Sequence, residues 1–249
     1  SGLMQSAPSR RNELFETKRF WCDCERCAPG QDDKCRGLKC SSCGQGRLFA
    51  RTPRAGAAID ATLLSSEIVN ARCTNCGHVV NGEEARKLSA QEAKLQSLVD
   101  DYAKSDAKTL KQLQADEALI DAHFGQHTLA DSAWEQMCSH YAAKQRISDQ
   151  RRLLERRREF HQAAYTGLSG AHAWVLESLA DVLRCGPPRP TTQELQESAD
   201  SNWDETRRAD LEAAKRLYFE ALEIVQPLFG EDHEHFTTIT TKLAELFAQ

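Results

Sequence analysis

The chain has 249 residues, 40% hydrophobic and 28% charged, with a formal net charge of −5, an ordinary composition for a folded chain. That length permits one large or two small domains, and no apolar run is long enough to span a bilayer. Through Lys87 there are 14 Lys+Arg against 10 Asp+Glu, a formal +4, and the rest carries −9, which argues against nucleic-acid binding driven by charge. The opening Ser1-Gly2-Leu3-Met4 reads as a tag remnant, so a fragment of a longer protein is expected. With no charged-then-apolar leader, an intracellular setting, cytoplasmic or nuclear, is expected.

After a lead-in at 1–14, cysteines dominate. Cys22, Cys24 and Cys27 form C-D-C-E-R-C, Cys40 and Cys43 form C-S-S-C, and Cys73 and Cys76 form C-T-N-C. Thiolates one to three residues apart chelate, because a tight turn aims two sulfurs at one tetrahedral ion. Disulfides are the other use of such residues, but the paired spacing in a chain with a long helical remainder points to metal.

The two C-x2-C pairs lie 29 residues apart, and each is followed by glycine, Gly44 or Gly77. That is the knuckle pattern of a zinc ribbon, expected over 35–82 with a closed structural site. With four sulfurs present, His78 is read as a bystander. The triplet, in a segment taken as 15–34, supplies three ligands and needs a fourth. Cys35 is the nearest further thiol, whereas Cys138 and Cys185 read as ordinary helix residues.

From Glu83 onward the apolar spacing predicts helices almost throughout. Ala85, Leu88, Leu95, Leu98, Val99 and Tyr102 mark one helix, and Leu110, Leu113 and Leu119 the next. Leu129, Ala133, Trp134, Met137 and Tyr141 mark a third, and Leu153, Leu154, Phe160 and Ala164 a fourth. Trp174, Leu176, Leu179 and Leu183 mark a fifth, Leu211 to Val225 a sixth and Ile239 to Phe247 a seventh. A Pro-rich loop is expected at 186–203. His127, His172 and His235 each fall near the start of a helix, a weak repeat. The fold expected is therefore mainly α, a tetratricopeptide-like antiparallel helical array over 83–249 preceded by a small cysteine-rich zinc-binding region.

The string Arg10 to Cys27, with Arg11, Leu14, Arg19, Phe20, Trp21 and the C-x-C-x-x-C triplet, resembles the post-SET segment of SMYD-family (SET and MYND domain) protein-lysine methyltransferases. The resemblance implies that Cys22, Cys24 and Cys27 share a zinc with a fourth cysteine of the catalytic SET core, upstream of Ser1. It implies that Phe20 packs on the adenine of S-adenosylmethionine in the intact parent protein. It also implies a helical C-terminal domain that docks a protein substrate or partner peptide. The chain departs from the family in its two-knuckle insertion and in lacking the Gly-x-Gly and Asn-His-Ser cofactor motifs. No catalytic residue is assigned, and the fragment alone is expected to be non-catalytic.

Two other readings stand beside this one. In the first, a tetratricopeptide-like scaffold with a structural ribbon binds a peptide or makes a homodimer. Its acidic-tail clamp would be Arg151, Arg152, Arg156, Arg157 and Arg158, which read more simply as a solvated face pairing with Glu155 and Glu159. In the second, Arg47, Arg51, Arg54 and Phe49 contact nucleic acid, which the small regional charge disfavours. Histidines 172 and 235 read as structural, and no hydrolase arrangement stands out.

Overall fold

The computed structural model describes residues 2–53, 67–104, 108–186 and 203–248. It is mainly helical, with one small sheet, and it divides into two compact units. One is Ser1–Gln136 with Ala163–Tyr165; the other is Met137–Gln162 with Thr166–Gln249.

The first unit opens with α1 (Ala7–Lys18), which the lead-in reading did not anticipate. Ser6 caps it by accepting from the Ser9 backbone N–H, Pro8 sits in its first turn, and Arg19 ends it in the left-handed region at φ 60°. Its buried residues are Ala7, Pro8, Arg10 and Arg11, so it carries no apolar stripe for a sequence to betray.

A three-stranded antiparallel sheet follows, in the order β2-β1-β3, formed by β1 (Asp32–Lys39), β2 (Arg47–Arg51) and β3 (Phe124–His127). Leu38 pairs with Leu48, and Gly37 lies between Phe49 and Gln126. A Cβ at Gly37 would stand 2.8 Å from the Phe49 ring and 3.0 Å from the Gln126 carbonyl, so only glycine lets the strands approach this closely.

The central strand buries charge. Asp33 accepts from the backbone N–H groups of Ala7 at 2.6 Å and Cys35 at 3.1 Å, which ties α1 to β1. Arg36, 2% exposed, donates to both carboxylate oxygens of Glu92, at 2.5 and 2.6 Å, and to Glu67. Glu92 comes from α2 (Gly82–Lys104). His127 Nε2 lies 3.0 Å from Glu92, and His127 Nδ1 accepts from the Leu129 N–H, capping α4 (Thr128–Ala143). One charged cluster thus joins β1, β3, α2 and the segment at Glu67. Between α2 and β3 lies α3 (Leu110–His123), opened by a Thr109–Gln112 capping box.

In the second unit the remaining helices are α5 (Ile147–Ala164), α6 (Gly170–Cys185), α7 (Trp203–Phe229) and α8 (Glu234–Phe247). With α2 to α4 these make, among the described residues, the seven helices expected after Glu83. Pairing distances fix their directions. Gly170 abuts Phe229, Tyr218 donates to Asp181 at 2.5 Å, and Arg207 caps the Leu183 and Arg184 carbonyls, so α6 and α7 run antiparallel. Trp174 meets His235 at 3.0 Å, Asp181 meets Lys242 at 2.7 Å and Arg184 meets Glu245 at 2.7 Å, so α6 and α8 run parallel. Arg151–Asp210 and Arg158–Glu220, both 2.8 Å, align α5 with α7. Within the second unit that alternation is an antiparallel helical array, of the kind expected over 83–249. Of the anticipated Pro-rich loop, 187–202 lies outside the described residues.

Asp181 and Glu177 gather Tyr218 from α7 and Lys242 from α8 into one polar seam. Asp181→Ala leaves a buried tyrosine hydroxyl and an ammonium short of an acceptor. It is expected to destabilise the second unit by about 1–3 kcal/mol, read from the urea midpoint.

His172 stacks on His161, with ring centroids 5.9 Å apart. Burial, followed by the charges of His161 and Arg158, pushes the His172 imidazole down from 6.5 to about 4. Between those values the unfolded chain holds a proton that the folded chain lacks, so stability falls as pH drops from 6.5 toward 4. Melting temperature measured across that window should decline in the wild type and decline less in His172→Gln.

Candidate metal centres

The first knuckle is the turn between β1 and β2. β1 ends at Lys39, Cys40 follows at once, and the chain returns to β2 at Arg47. Cys40 N–H donates to the Gly46 carbonyl at 3.0 Å, closing the turn, and Gly44 N–H donates to the Cys40 carbonyl at 2.8 Å. The second knuckle repeats this plan. An Arg72–Val79 bridge forms its base, Cys73 N–H donates to the His78 carbonyl at 2.8 Å, and Gly77 N–H reaches the Cys73 carbonyl at 3.2 Å. Gly44 and Gly77 have φ of +64° and +74°, the left-handed region that glycine occupies without penalty.

The two knuckles dock through Thr74, whose N–H donates to the Arg47 carbonyl at 3.1 Å and whose hydroxyl accepts from Arg47 N–H at 3.0 Å. Docking brings the sulfurs of Cys40, Cys43, Cys73 and Cys76 within 4.8 Å of one another. The cross-knuckle pairs Cys40–Cys76 and Cys43–Cys73 are 3.8 and 3.7 Å apart. A tetrahedron with zinc–sulfur bonds of about 2.3 Å has an edge of about 3.8 Å. A disulfide would need about 2.05 Å, so the sulfurs stand as ion ligands stand.

Backbone N–H groups are aimed at the sulfurs. Gly46 donates to Cys43 at 3.3 Å, and Asn75 and Cys76 donate to Cys73 at 3.4 and 3.5 Å. The N–H groups of Gly46 and Gln45 pull the Cys43 thiol down to about 6, so this ligand is ready as a thiolate. Beneath the knuckles Glu84 accepts from the Ser41 hydroxyl at 2.5 Å and pairs with His78 at 2.7 Å. His78 is therefore a brace between ribbon and α2, outside the sulfur cluster.

The triplet sulfurs of Cys22, Cys24 and Cys27 also lie within 4.8 Å of one another, and no fourth donor joins them among the described residues. Cys27 is buried and accepts from the Arg10 guanidinium at 3.1 Å; Cys24 is exposed. Arg11, buried, donates to the Cys22 carbonyl at 3.1 Å and to the Pro53 carbonyl, holding the triplet segment against the end of β2. Cys35 stays apart from the cluster. It is buried, within 3.5 Å of the Arg26 guanidinium, and burial pushes its thiol up to about 12.

Phe20 follows α1 and is 49% exposed, beside the stacked Phe15–Trp21 pair with centroids 4.6 Å apart. Phe49, offered as a base-stacking ring, is buried against Gly37 with the Lys34 ammonium 4.1 Å from its centroid, so it is a core residue. Arg54 lies outside the described residues. The α5 arginines are paired: Arg151 with Glu155 and Asp210, Arg152 with Asp149, and Arg158 with Glu220. Arg156 and Arg157 are engaged as well. These pairings make an ion-paired surface rather than a basic clamp, but not the solvated face expected: Arg157 is buried, and Arg151 and Arg158 reach Asp210 and Glu220 of α7.

Sequence patterns missed Gly46, Asn75, Arg10 and Arg11, which support the sulfurs without ligating. Gly46 had a visible signal as the second glycine of C-x2-C-G-x-G, and Arg10 and Arg11 stood in the string that carries the resemblance, without a role assigned to them. No helix among the described residues is long and apolar enough to cross a membrane. No protein-family model matches the chain, and no curated protein matches it.

Proposed function

We propose that this chain is the zinc-binding and helical docking portion of a SMYD-like protein-lysine N-methyltransferase. The ribbon holds a structural zinc through Cys40, Cys43, Cys73 and Cys76. A closed four-thiolate shell leaves no position for substrate, and the ion's role is to lock the two knuckle turns against each other. The helical array docks a protein substrate or partner.

The observation that carries the reading is the triplet. Three convergent thiolates, backed by Arg10 and partly exposed, make a site whose fourth ligand comes from outside the described residues. Cys35, the nearest alternative, is buried and engaged elsewhere. The residues present do not by themselves fit S-adenosylmethionine. An adenine laid on Phe20 would stay open to water, so no step of methyl transfer is assigned to this chain.

Two measurements test the proposal. Calorimetric titration of S-adenosylmethionine into the 249-residue chain should give no binding heat. A chain extended upstream of Ser1 should transfer tritium from labelled S-adenosylmethionine to protein lysines and should lose that transfer in Cys24→Ser. An extended chain that loads ribbon zinc but transfers no methyl group contradicts the methyltransferase reading.

A further inference from the structure

The four ribbon sulfurs are not equivalent. Each cross-knuckle pair couples a buried thiol with a more accessible one: buried Cys40 with exposed Cys76, and buried Cys73 with half-buried Cys43. N–H donation is unequal as well. Cys73 accepts from the Asn75 and Cys76 backbone, and Cys43 accepts from the Gly46 backbone and the Asn75 amide at 3.8 Å. Among the described residues no N–H reaches the Cys76 sulfur within hydrogen-bond distance. The cause lies in the chain. The first knuckle returns at Gly46, six residues after Cys40, and presents an N–H to Cys43. The second returns at His78, only five after Cys73; its carbonyl closes the turn onto the Cys73 N–H as the Gly46 carbonyl closes the first onto the Cys40 N–H, but it has no counterpart of the Gly46 N–H that donates to Cys43.

An N–H directed at a thiolate draws off its electron density, and reactivity follows thiolate character and access. We propose that Cys76 is the oxidation-sensitive ligand of the ribbon, and that a hydroperoxide converts the Cys76–Cys40 pair to a disulfide and ejects the metal. This rests on the reading of the ribbon as a zinc site. In the first step the Cys76 thiolate attacks one peroxide oxygen; a sulfur–oxygen bond forms, the O–O bond breaks, and hydroxide leaves. In the second the Cys40 thiolate, 3.8 Å away, attacks the sulfenic sulfur and expels a second hydroxide. Two protons taken up from the protonated buffer convert the two hydroxides to water. Overall, two thiolates lose two electrons and one peroxide becomes two waters. With two ligands consumed, the remaining pair cannot hold the ion in a closed shell.

The test uses the wild-type 249-residue chain loaded with zinc and treated with substoichiometric hydrogen peroxide. Released zinc is read with a chromophoric chelator, and cysteine states are read by differential alkylation and peptide mass mapping. Exposed Cys185, outside both clusters, serves as the free-thiol control. The expected result is a Cys40–Cys76 disulfide as the first ribbon product, formed in step with loss of the ribbon zinc. A sulfenic-acid trap should label Cys76 before Cys43. A zinc-loaded ribbon whose first product is Cys43–Cys73, or a disulfide within one knuckle, overturns the inference and leaves the zinc reading standing. A ribbon that carries no zinc before oxidation overturns both.

Discussion

Gly46→Ala is expected to lose metal at the ribbon, with affinity falling roughly 10–100-fold as when other groups that support metal ligands are removed. A Cβ at this position would overlap the Cys73 sulfur and stand 2.8 Å from the Asn75 Cβ and 2.9 Å from its backbone nitrogen. The obstruction is backbone and ligand, so no side-chain rotation relieves it. The knuckles must separate, and the 3.7 Å Cys43–Cys73 approach goes with them. Gly44→Ala is the informative control. It meets nothing within 4 Å and is penalised only by its positive φ, about 1 kcal/mol. Competition with a chromophoric chelator should therefore separate two glycines lying two residues apart.

Arg36→Met is expected to destabilise the first unit by about 3–5 kcal/mol, because it leaves buried carboxylates without their cation. Burial opposes the Glu92 charge, but hydrogen bonds from Arg36 and His127 outweigh it and hold that carboxyl well below its ordinary 4.5. For Glu67 burial wins over the pull of Arg36, and its carboxyl rises from 4.5 to about 7. The two acids bend the pH dependence in opposite directions. Glu92 contributes stability above 4.5 that is lost as pH falls through its depressed folded value. Glu67 contributes stability below 4.5 that is lost as pH rises through about 7. Urea midpoints across pH should show Glu67→Gln gaining on the wild type above pH 7. Combining Arg36→Met, Glu92→Met and Glu67→Gln should recover much of the loss, since a well-packed apolar replacement removes the unpaired charge along with its partner.

The same cluster explains what the sequence hid. Apolar alternation betrays a strand when one face is oily, but β1 buries Asp33 and Arg36, whose partners lie on α1 and α2. β3 has four residues between two helices, and its pairing with β1 is long-range, so local pattern could not reveal it. α1 stayed hidden for a related reason: its buried arginines serve the carbonyl of Cys22 and the sulfur of Cys27.

What could be read directly was chemistry at short spacing and periodicity at long spacing. C-x2-C-G forces a knuckle whatever surrounds it, and both knuckles formed. The helices from Gly82 onward carry stripes such as Leu153, Leu154 and Phe160, or Leu176, Leu179 and Leu183, and these residues are buried. Only their pairing partners needed the structure. The Arg151 to Arg158 run shows the limit of charge counting, because its acids, Asp210 and Glu220, lie 59 and 62 residues away.

Zinc content per chain, measured alongside single-cysteine variants, tests the division between the two clusters most directly. The 249-residue chain should hold one tightly bound zinc in a four-sulfur shell by X-ray absorption. Cys73→Ser should abolish it, and Cys24→Ser should leave it unchanged. Two tightly held zincs in the wild type, one of them lost in Cys24→Ser, would mean that the triplet completes itself within this chain. That result would contradict the account of Cys22, Cys24 and Cys27 as a site waiting for a ligand from elsewhere.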